Sequence, residues 1–157
     1  LINAGFGMTA AYPVDRGVLV TQNLYGDVLS DVMAFQAHGS LGLAPSVNLG
    51  GTSDQPIAMF EAVHGTAPDI AGQGIANPSA FLLSALMMLK FIGQDNAATT
   101  IHNALMKTWE DGQATGDIQL RSKDDKVTRG TLGTQDFVQA VIGNLGQKPS
   151  LDLRQII

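Results

Sequence analysis

Short apolar runs alternate along this chain with longer segments whose apolar residues recur at helical spacing, and that alternation does most to restrict the fold. Val18-Leu19-Val20, within residues 17–21, and the run over 57–63 read as short strands bounded by turn formers. Residues 39–51 mix small and apolar residues with turn formers and read as a strand or ribbon. The spacing predicts helices over 26–37, 78–92, 96–111 and 135–145. Pro78 suits a first turn, where its missing N–H would be unpaired anyway, and Gly93 suits the stop. Asp95 and Thr134 are read as N-caps, and Gly146 falls just past the last helix. Trp109 is expected on a buried face, Met87-Met88-Leu89 as core filler, and 121–130 as a charged exposed loop. The first dozen residues read as weak helix or loop ending near Pro13. Strands alternating with helices point to α/β architecture.

A length of 157 residues is about one domain, and 45% hydrophobic with 15% charged residues is a globular balance. The formal net charge is −5 and no run of Lys or Arg forms a phosphate-tracking stripe, so nucleic acid is not an expected partner. The longest apolar stretch, 80–89, is too short to span a bilayer, which takes about 20 residues. No membrane segment is expected. With no cysteine, disulfides, thiolate metal sites and cysteine nucleophiles are excluded. Residues 1–8 lack both an initiator Met and the basic start of a signal peptide, so the chain is expected to begin within a longer protein.

Two constellations carry chemistry. In Asn23-Leu24-Tyr25-Gly26-Asp27-Val28-Leu29-Ser30-Asp31 two carboxylates stand four residues apart at a strand-to-helix junction. Both then lie on one helical face, where they can hold a hard divalent cation, or merely favour the positive end of the helix dipole. The second is Phe60-Glu61-Ala62-Val63-His64-Gly65-Thr66-Ala67-Pro68-Asp69-Ile70-Ala71-Gly72-Gln73-Gly74-Ile75-Ala76-Asn77-Pro78, a loop joining a strand to a long helix. Gly65, Gly72 and Gly74 permit close approach of a ligand to the backbone, and Thr66 with nearby amides can cradle anionic oxygens. His64, Asp69 and Asn77 can read a heterocycle and a sugar edge; an ordinary glycine-rich connection is the alternative. Neither G-x-G-x-x-G after a strand nor G-x-x-x-x-G-K-[ST] is present, so a nucleotide here needs a scaffold other than the Rossmann or P-loop one. His38 and His102 read as surface or satisfied core histidines, and 110–111 and 123–126 as solvated faces.

Asn23-Leu24-Tyr25-Gly26-Asp27 with Asp31, and His64-Gly65-Thr66-Ala67-Pro68 followed by Ala76-Asn77-Pro78, resemble the metal and cofactor motifs of the β-decarboxylating isocitrate, isopropylmalate, homoisocitrate and tartrate dehydrogenases. The resemblance covers about 17–146. It implies the isocitrate/isopropylmalate dehydrogenase fold, with residues 1–157 as the C-terminal portion of one dehydrogenase domain whose N-terminal half is absent. It implies that Asp27 and Asp31 coordinate Mg²⁺ or Mn²⁺ together with a 2-hydroxy acid. It also implies that Glu61, His64, Gly65, Thr66, Ala67, Pro68, Asp69, Ile70 and Asn77 bind the dinucleotide. Members selective for NADP resemble one another in a Lys-Tyr pair where this chain has Asp69-Ile70, and in a Tyr and an Arg further on where it reads Thr115-Gly116-Asp117-Ile118-Gln119-Leu120. An Asp repels a 2′-phosphate and accepts from ribose hydroxyls, so NAD is the expected cofactor. Glu61 either faces the nicotinamide or pairs with a cation.

Ala62, Thr66 and the segment 144–149 lean toward isocitrate as substrate, while 68–78 is close to the isopropylmalate form. The expected activity is NAD- and metal-dependent oxidative decarboxylation of isocitrate to 2-oxoglutarate, as in the tricarboxylic acid cycle. Alternatives are an isopropylmalate or tartrate type, a non-catalytic regulatory subunit, or an inactive fragment. Regulatory chains tend to lose the metal carboxylates, and both are intact here. The family's substrate arginines, catalytic Tyr and catalytic Lys lie N-terminal to anything present, so no catalytic residue is assigned in this chain. An ungapped alignment puts Asn3 where the family carries a third metal carboxylate, and Pro13 at the family's following proline. An amide adds no negative charge, which lowers cation affinity. A homodimer or hetero-oligomer in the cytoplasm, or in the mitochondrial matrix of a eukaryote, is the implied setting.

Overall fold

The computed structural model describes residues 20–121 and 126–150. Its elements run α1 (Asn23–His38), a 3₁₀ turn (Leu41–Leu43), β1 (Pro45–Gly51), β2 (Pro56–Ala62), α2 (Ser79–Phe91), α3 (Asp95–Glu110), β3 (Gln119–Arg121), β4 (Val127–Arg129) and α4 (Thr134–Gly143). Each of the four predicted helices is present, displaced by at most three residues at either end. The strands form two antiparallel pairs, β1 with β2 and β3 with β4. The mixture is α/β, as the alternation of apolar periods requires.

In the first pair Pro45 lies opposite Ala62 and Gly51 opposite Pro56. Gly51 closes the turn at φ 80°, where an added Cβ would stand 2.2 Å from the Gln55 carbonyl oxygen, so only glycine fits. Along β2, Ala58, Phe60 and Ala62 turn inward while Ile57, Met59 and Glu61 turn outward, the two-residue period of a half-covered strand. Phe60 meets Phe91 of α2 edge-on, with ring centroids 5.6 Å apart. Ser84 of α2 donates its hydroxyl to the Glu61 carbonyl at 2.7 Å, fastening the helix to the end of the strand.

The core lies between α3, α4 and the segments that follow α3. Leu105, Trp109, Ile118, Leu120, Phe137 and Val141 are buried together with Leu43 from the 3₁₀ turn. Trp109 and Phe137 stack, with centroids 6.5 Å apart and planes at 26°. Asn144, at the end of α4, donates to the Thr108 hydroxyl at 3.0 Å. Ser150 donates its hydroxyl and amide to Glu110, holding that carboxyl below the usual range. Glu110 is thus tied into the fold rather than standing on a solvated face, whereas Asp111 pairs with Lys107 at 2.5 Å on the surface.

Other expectations are corrected. Residues 119–129 contain a short β-hairpin rather than only a loop, because Gly130 returns its amide to the Ile118 carbonyl and brings the strands together. Asp95 is the first helical residue of α3 and caps nothing; Gln94 is the N-cap, leaving the Asp95 carboxylate near the positive helix end. Thr134 likewise begins α4, with Gly133 at the cap. Met88 is exposed and Met87 and Leu89 half-buried, since α2 is apolar all round but covered on the sides where the β1–β2 pair, the 3₁₀ turn and α3 meet it. Val20 and Thr21 are exposed and not in a strand, while 17–19, the opening segment with Asn3 and Pro13, and 123–125 lie outside the described residues. His102 is exposed, and the His38 side chain is also outside the description. Among the described residues no helix is long and apolar enough to cross a membrane.

Phe137 is fully buried against Trp109. Phe137→Ala should destabilise the intact protein by about 3–5 kcal/mol, through lost burial and an unfilled cavity. Urea unfolding measures this, and a change below about 1 kcal/mol would show that the seam is not the core.

Candidate functional site

The loop between β2 and α2 forms one wall of a cleft of about 1380 Å³. His64, Gly65, Thr66, Ala67, Asp69, Ile70 and Asn77, all singled out from the sequence, line it. The opposite walls come from three other segments: Gly39 to Gly42 after α1, Gly116-Asp117, and Thr131 to Gln135 at the start of α4. Gly116-Asp117 falls in the segment 115–120 that the sequence had linked to the cofactor, whereas the other two were not expected as parts of one site. No local pattern marks them, because they meet only through long-range hydrogen bonds.

The loop is held in an unusual backbone conformation. Ala67 has φ 40°, the one non-glycine residue at positive φ among those described, while Gly72 and Gly74 sit at 78° and 68°. Holding an alanine there costs free energy of order 1–3 kcal/mol, which the surrounding bonds offset. Ile70 donates its amide to the Ala67 carbonyl at 3.1 Å, and the Gln73 side chain donates to the Asp69 carbonyl at 2.7 Å. An added Cβ at Gly65 would meet nothing within 4 Å, so the backbone there is open to a ligand. Thr134 closes the far end, its amide donating to Gly74 at 2.7 Å and its hydroxyl to Ala76 at 2.5 Å.

Asn77 is less free than its residue type suggested. Its Nδ2 donates to Asp117 at 3.0 Å and its Oδ1 accepts the Ser79 amide at 2.9 Å, which starts α2. One amide hydrogen is left for a ligand. Asp117 also accepts from the hydroxyls of Thr115, at 2.6 Å, and Ser40. Ser40 in turn accepts the Gly42 amide at 2.9 Å. Pro68 and Glu61 do not line the cleft. Glu61 instead accepts from the Asn48 side chain at 3.0 Å across the β1–β2 pair, and His64 keeps its Nδ1 3.0 Å from the Gly65 carbonyl.

Asp27 and Asp31 lie on α1, which passes Phe35 along the rim of the cleft. At 1.5 Å per residue, Asp31 stands about 6 Å and Asp27 about 12 Å along the axis from Phe35. Asp27 is exposed and accepts from Asn23 at 3.3 Å; Asp31 is half-buried. Two hard carboxylate donors one turn apart suit Mg²⁺ or Mn²⁺ in kind. They fall short of a full shell, and among the described residues no cluster of three potential ligands is present. The remaining oxygens have to come from elsewhere. For a dinucleotide the cleft offers open main chain at Gly65, the acceptor Asp69 and, among the described residues, no lysine or arginine lining.

By fold this is an α/β protein of dehydrogenase type. A family model described as isocitrate/isopropylmalate dehydrogenase matches residues 8–141. The chain belongs to the isocitrate/isopropylmalate dehydrogenase family. It is 51% identical to an isocitrate dehydrogenase [NADP] of Rickettsia bellii over 95% of this chain and 29% of that protein. It is 48% identical to subunit 2 of the mitochondrial isocitrate dehydrogenase [NAD] of Saccharomyces cerevisiae, over 82% of this chain and 31% of the relative. The structure of the TT0538 protein from Thermus thermophilus superposes with a TM-score of 0.81 at 36% identity, over 99% of this chain and 32% of the other. The chain therefore spans about three tenths of the length of these relatives.

Gly42 packs so tightly on Asn77 that an added Cβ would lie 2.7 Å from the Asn77 Cβ. Gly42→Ala should therefore push the two cleft walls apart and destabilise the protein by about 1–3 kcal/mol. Thermal unfolding of the variant checks this, and an unchanged midpoint would contradict it.

Proposed function

We propose that this chain is the C-terminal portion of an enzyme that oxidatively decarboxylates isocitrate to 2-oxoglutarate with NAD and Mg²⁺ or Mn²⁺. The observation that carries the reading is that a single helix, α1, joins the carboxylate pair to the cleft, with Asp31 one turn from Phe35. A substrate gripped at one end and a dinucleotide at the other would lie side by side. When bound, the cation supplies a Lewis acid for the alcohol and for the enolate charge left as CO₂ departs, and NAD accepts the hydride. Asp27 and Asp31 hold the cation by their carboxylate oxygens. The main chain at Gly65 to Ala67 receives the phosphates, while Pro68 stiffens the turn into Asp69.

Cofactor choice rests on Asp69 and Ile70. A 2′-phosphate in this cleft would face the Asp69 carboxylate with no lysine or arginine lining among the described residues to neutralise it, whereas ribose hydroxyls can donate to that carboxylate. The relatives include proteins named for each cofactor, and Asp69 with Ile70 supports NAD for this chain. Leu24, Val28, Leu49, Ile57 and Met59 are exposed apolar side chains, which supports further protein contact, as in a homodimer or hetero-oligomer. The enzyme would act in the cytoplasm, or in the mitochondrial matrix of a eukaryote.

Two outcomes test this in the intact protein with Mn²⁺. NAD reduction should proceed with isocitrate, and Asp31→Asn should lower kcat on the order of 100-fold or more at limiting metal while the circular dichroism stays that of the wild type. Near-normal turnover of that variant would remove the metal assignment. Separately, kcat/KM should favour NAD over NADP by on the order of 100-fold, and Asp69→Lys should narrow that ratio. A wild-type preference for NADP would refute the role given to Asp69.

A further inference from the structure

We infer that Asp117 is a positioning residue for the dinucleotide cleft, acting through the side chain of Asn77; this rests on the cofactor reading of the cleft given above. Three donors from three separate segments converge on its carboxylate. Thr115 Oγ1 donates to Oδ1, while Ser40 Oγ and Asn77 Nδ2 both donate to Oδ2. Thr115, Ser40 and Asn77 are all buried, so each would lose a partner that water cannot readily replace if the carboxylate were removed. A carboxylate suits this position because both of its oxygens accept, one from Thr115 and the other from Ser40 and Asn77.

The consequence reaches the cleft along two routes. Ser40, fixed by Asp117, accepts the Gly42 amide and so sets the 3₁₀ turn whose Gly42 abuts Asn77. Asn77, fixed by the same carboxylate, turns its Oδ1 to the Ser79 amide and starts α2 at the end of the glycine-rich loop. Asp117 thereby sets the spacing between the wall built from 39–42 and the wall built from 64–77. Its own half-buried carboxylate is spent on these bonds rather than on a ligand. The bond from Asn77 is directional: an amide hydrogen points at a charged acceptor, and reversing either partner reverses or abolishes it.

That polarity supplies a test that does not depend on a destabilising truncation. Asn77→Asp keeps an oxygen to accept the Ser79 amide, and hence the helix start, but sets a carboxylate against Asp117. The double variant Asn77→Asp with Asp117→Asn restores a donor–acceptor pair with its direction swapped, and the Ser40 and Thr115 hydroxyls can turn to suit the new amide. Titration calorimetry with NAD on the intact protein, and amide hydrogen exchange at Gly42 without cofactor, are the two readouts. We expect Asn77→Asp to weaken NAD binding about tenfold and speed exchange at Gly42, with the double variant returning exchange at Gly42 to within about threefold of the wild type and recovering NAD binding only in part, because the Asn77 amide hydrogen that faces the cleft is gone. A single variant whose Gly42 amide exchanges as slowly as the wild type's, or a double variant whose exchange there is no slower than the single one's, overturns the positioning role. Wild-type protein that binds neither NAD nor NADP overturns the cofactor reading instead, and the exchange pattern at Gly42 then tells whether the linkage between walls stands without it.

Discussion

The stack of Trp109 on Phe137 is the contact from which the order of the molecule propagates. It clamps α3 against α4, and the chain leaves α3 through Ala114 and Thr115, both wholly buried, directly toward the cleft. Leu132 returns its amide to the Ala114 carbonyl at 2.9 Å, and Thr115 bridges to Leu132 in the one parallel contact among the described strands and bridges. Gly130 completes the junction, because a Cβ there would stand 2.3 Å from the Thr115 carbonyl oxygen. Two walls of the cleft, the Asp117 segment and the start of α4, are therefore extensions of one packed seam. Apolar burial fixes them first, and their polar groups are then aimed without further ordering cost.

The glycine-rich loop has few apolar contacts of its own. From Gln73 to Ala76 the backbone is exposed, and what restrains it is Thr134 at one end and the Ala67 to Gln73 turn at the other. A segment held by hydrogen bonds to a rigid seam, rather than by burial, keeps its main-chain groups available while still having one conformation. Ala67 at positive φ fits that picture: the strained residue lies between the open Gly65 and the acceptor Asp69, where the chain must turn sharply to present both.

The helices were legible because each carries its own period and punctuation. Pro78 before α2 and Gly93 after it, at φ 77°, mark the ends directly. What escaped reading depends on partners far along the chain. Nothing local in 119–129 announces a hairpin; it forms because Gly130 bonds back to Ile118 above a buried Ile118 and Leu120. The residue type of Asn77 suggested a ligand contact, yet most of its side-chain capacity goes to Asp117, forty residues away, and to Ser79. Asp117 drew notice only for what it is not, a cation for a phosphate. The motif residues His64 to Ile70, Pro68 excepted, line the cleft, and they drew notice because glycines and threonines in a strand-to-helix loop have a physical purpose on their own.

The charge balance of the site bears on how the two functional regions depend on each other. The cleft is lined by Asp69 and Asp117 with His64, and α1 carries Asp27 and Asp31, in a chain whose formal net charge is −5. A 2-hydroxy tricarboxylate approaching Asp31 directly would meet like charge, at about 4 kcal/mol per pair at 4 Å for an effective dielectric constant near 20. Among the described residues only a divalent cation seated on the carboxylate pair could reverse that sign locally. A pyrophosphate would face the same difficulty in the cleft, where neutral main-chain amides are the available donors and the Asp117 carboxylate is engaged by three hydrogen bonds from neutral donors. Asp69 is an exposed carboxylate on the cleft wall, an acceptor that suits ribose hydroxyls and would repel a 2′-phosphate. On this ground the proposed preference for an unphosphorylated ribose and the proposed need for a metal would be two results of one acidic surface.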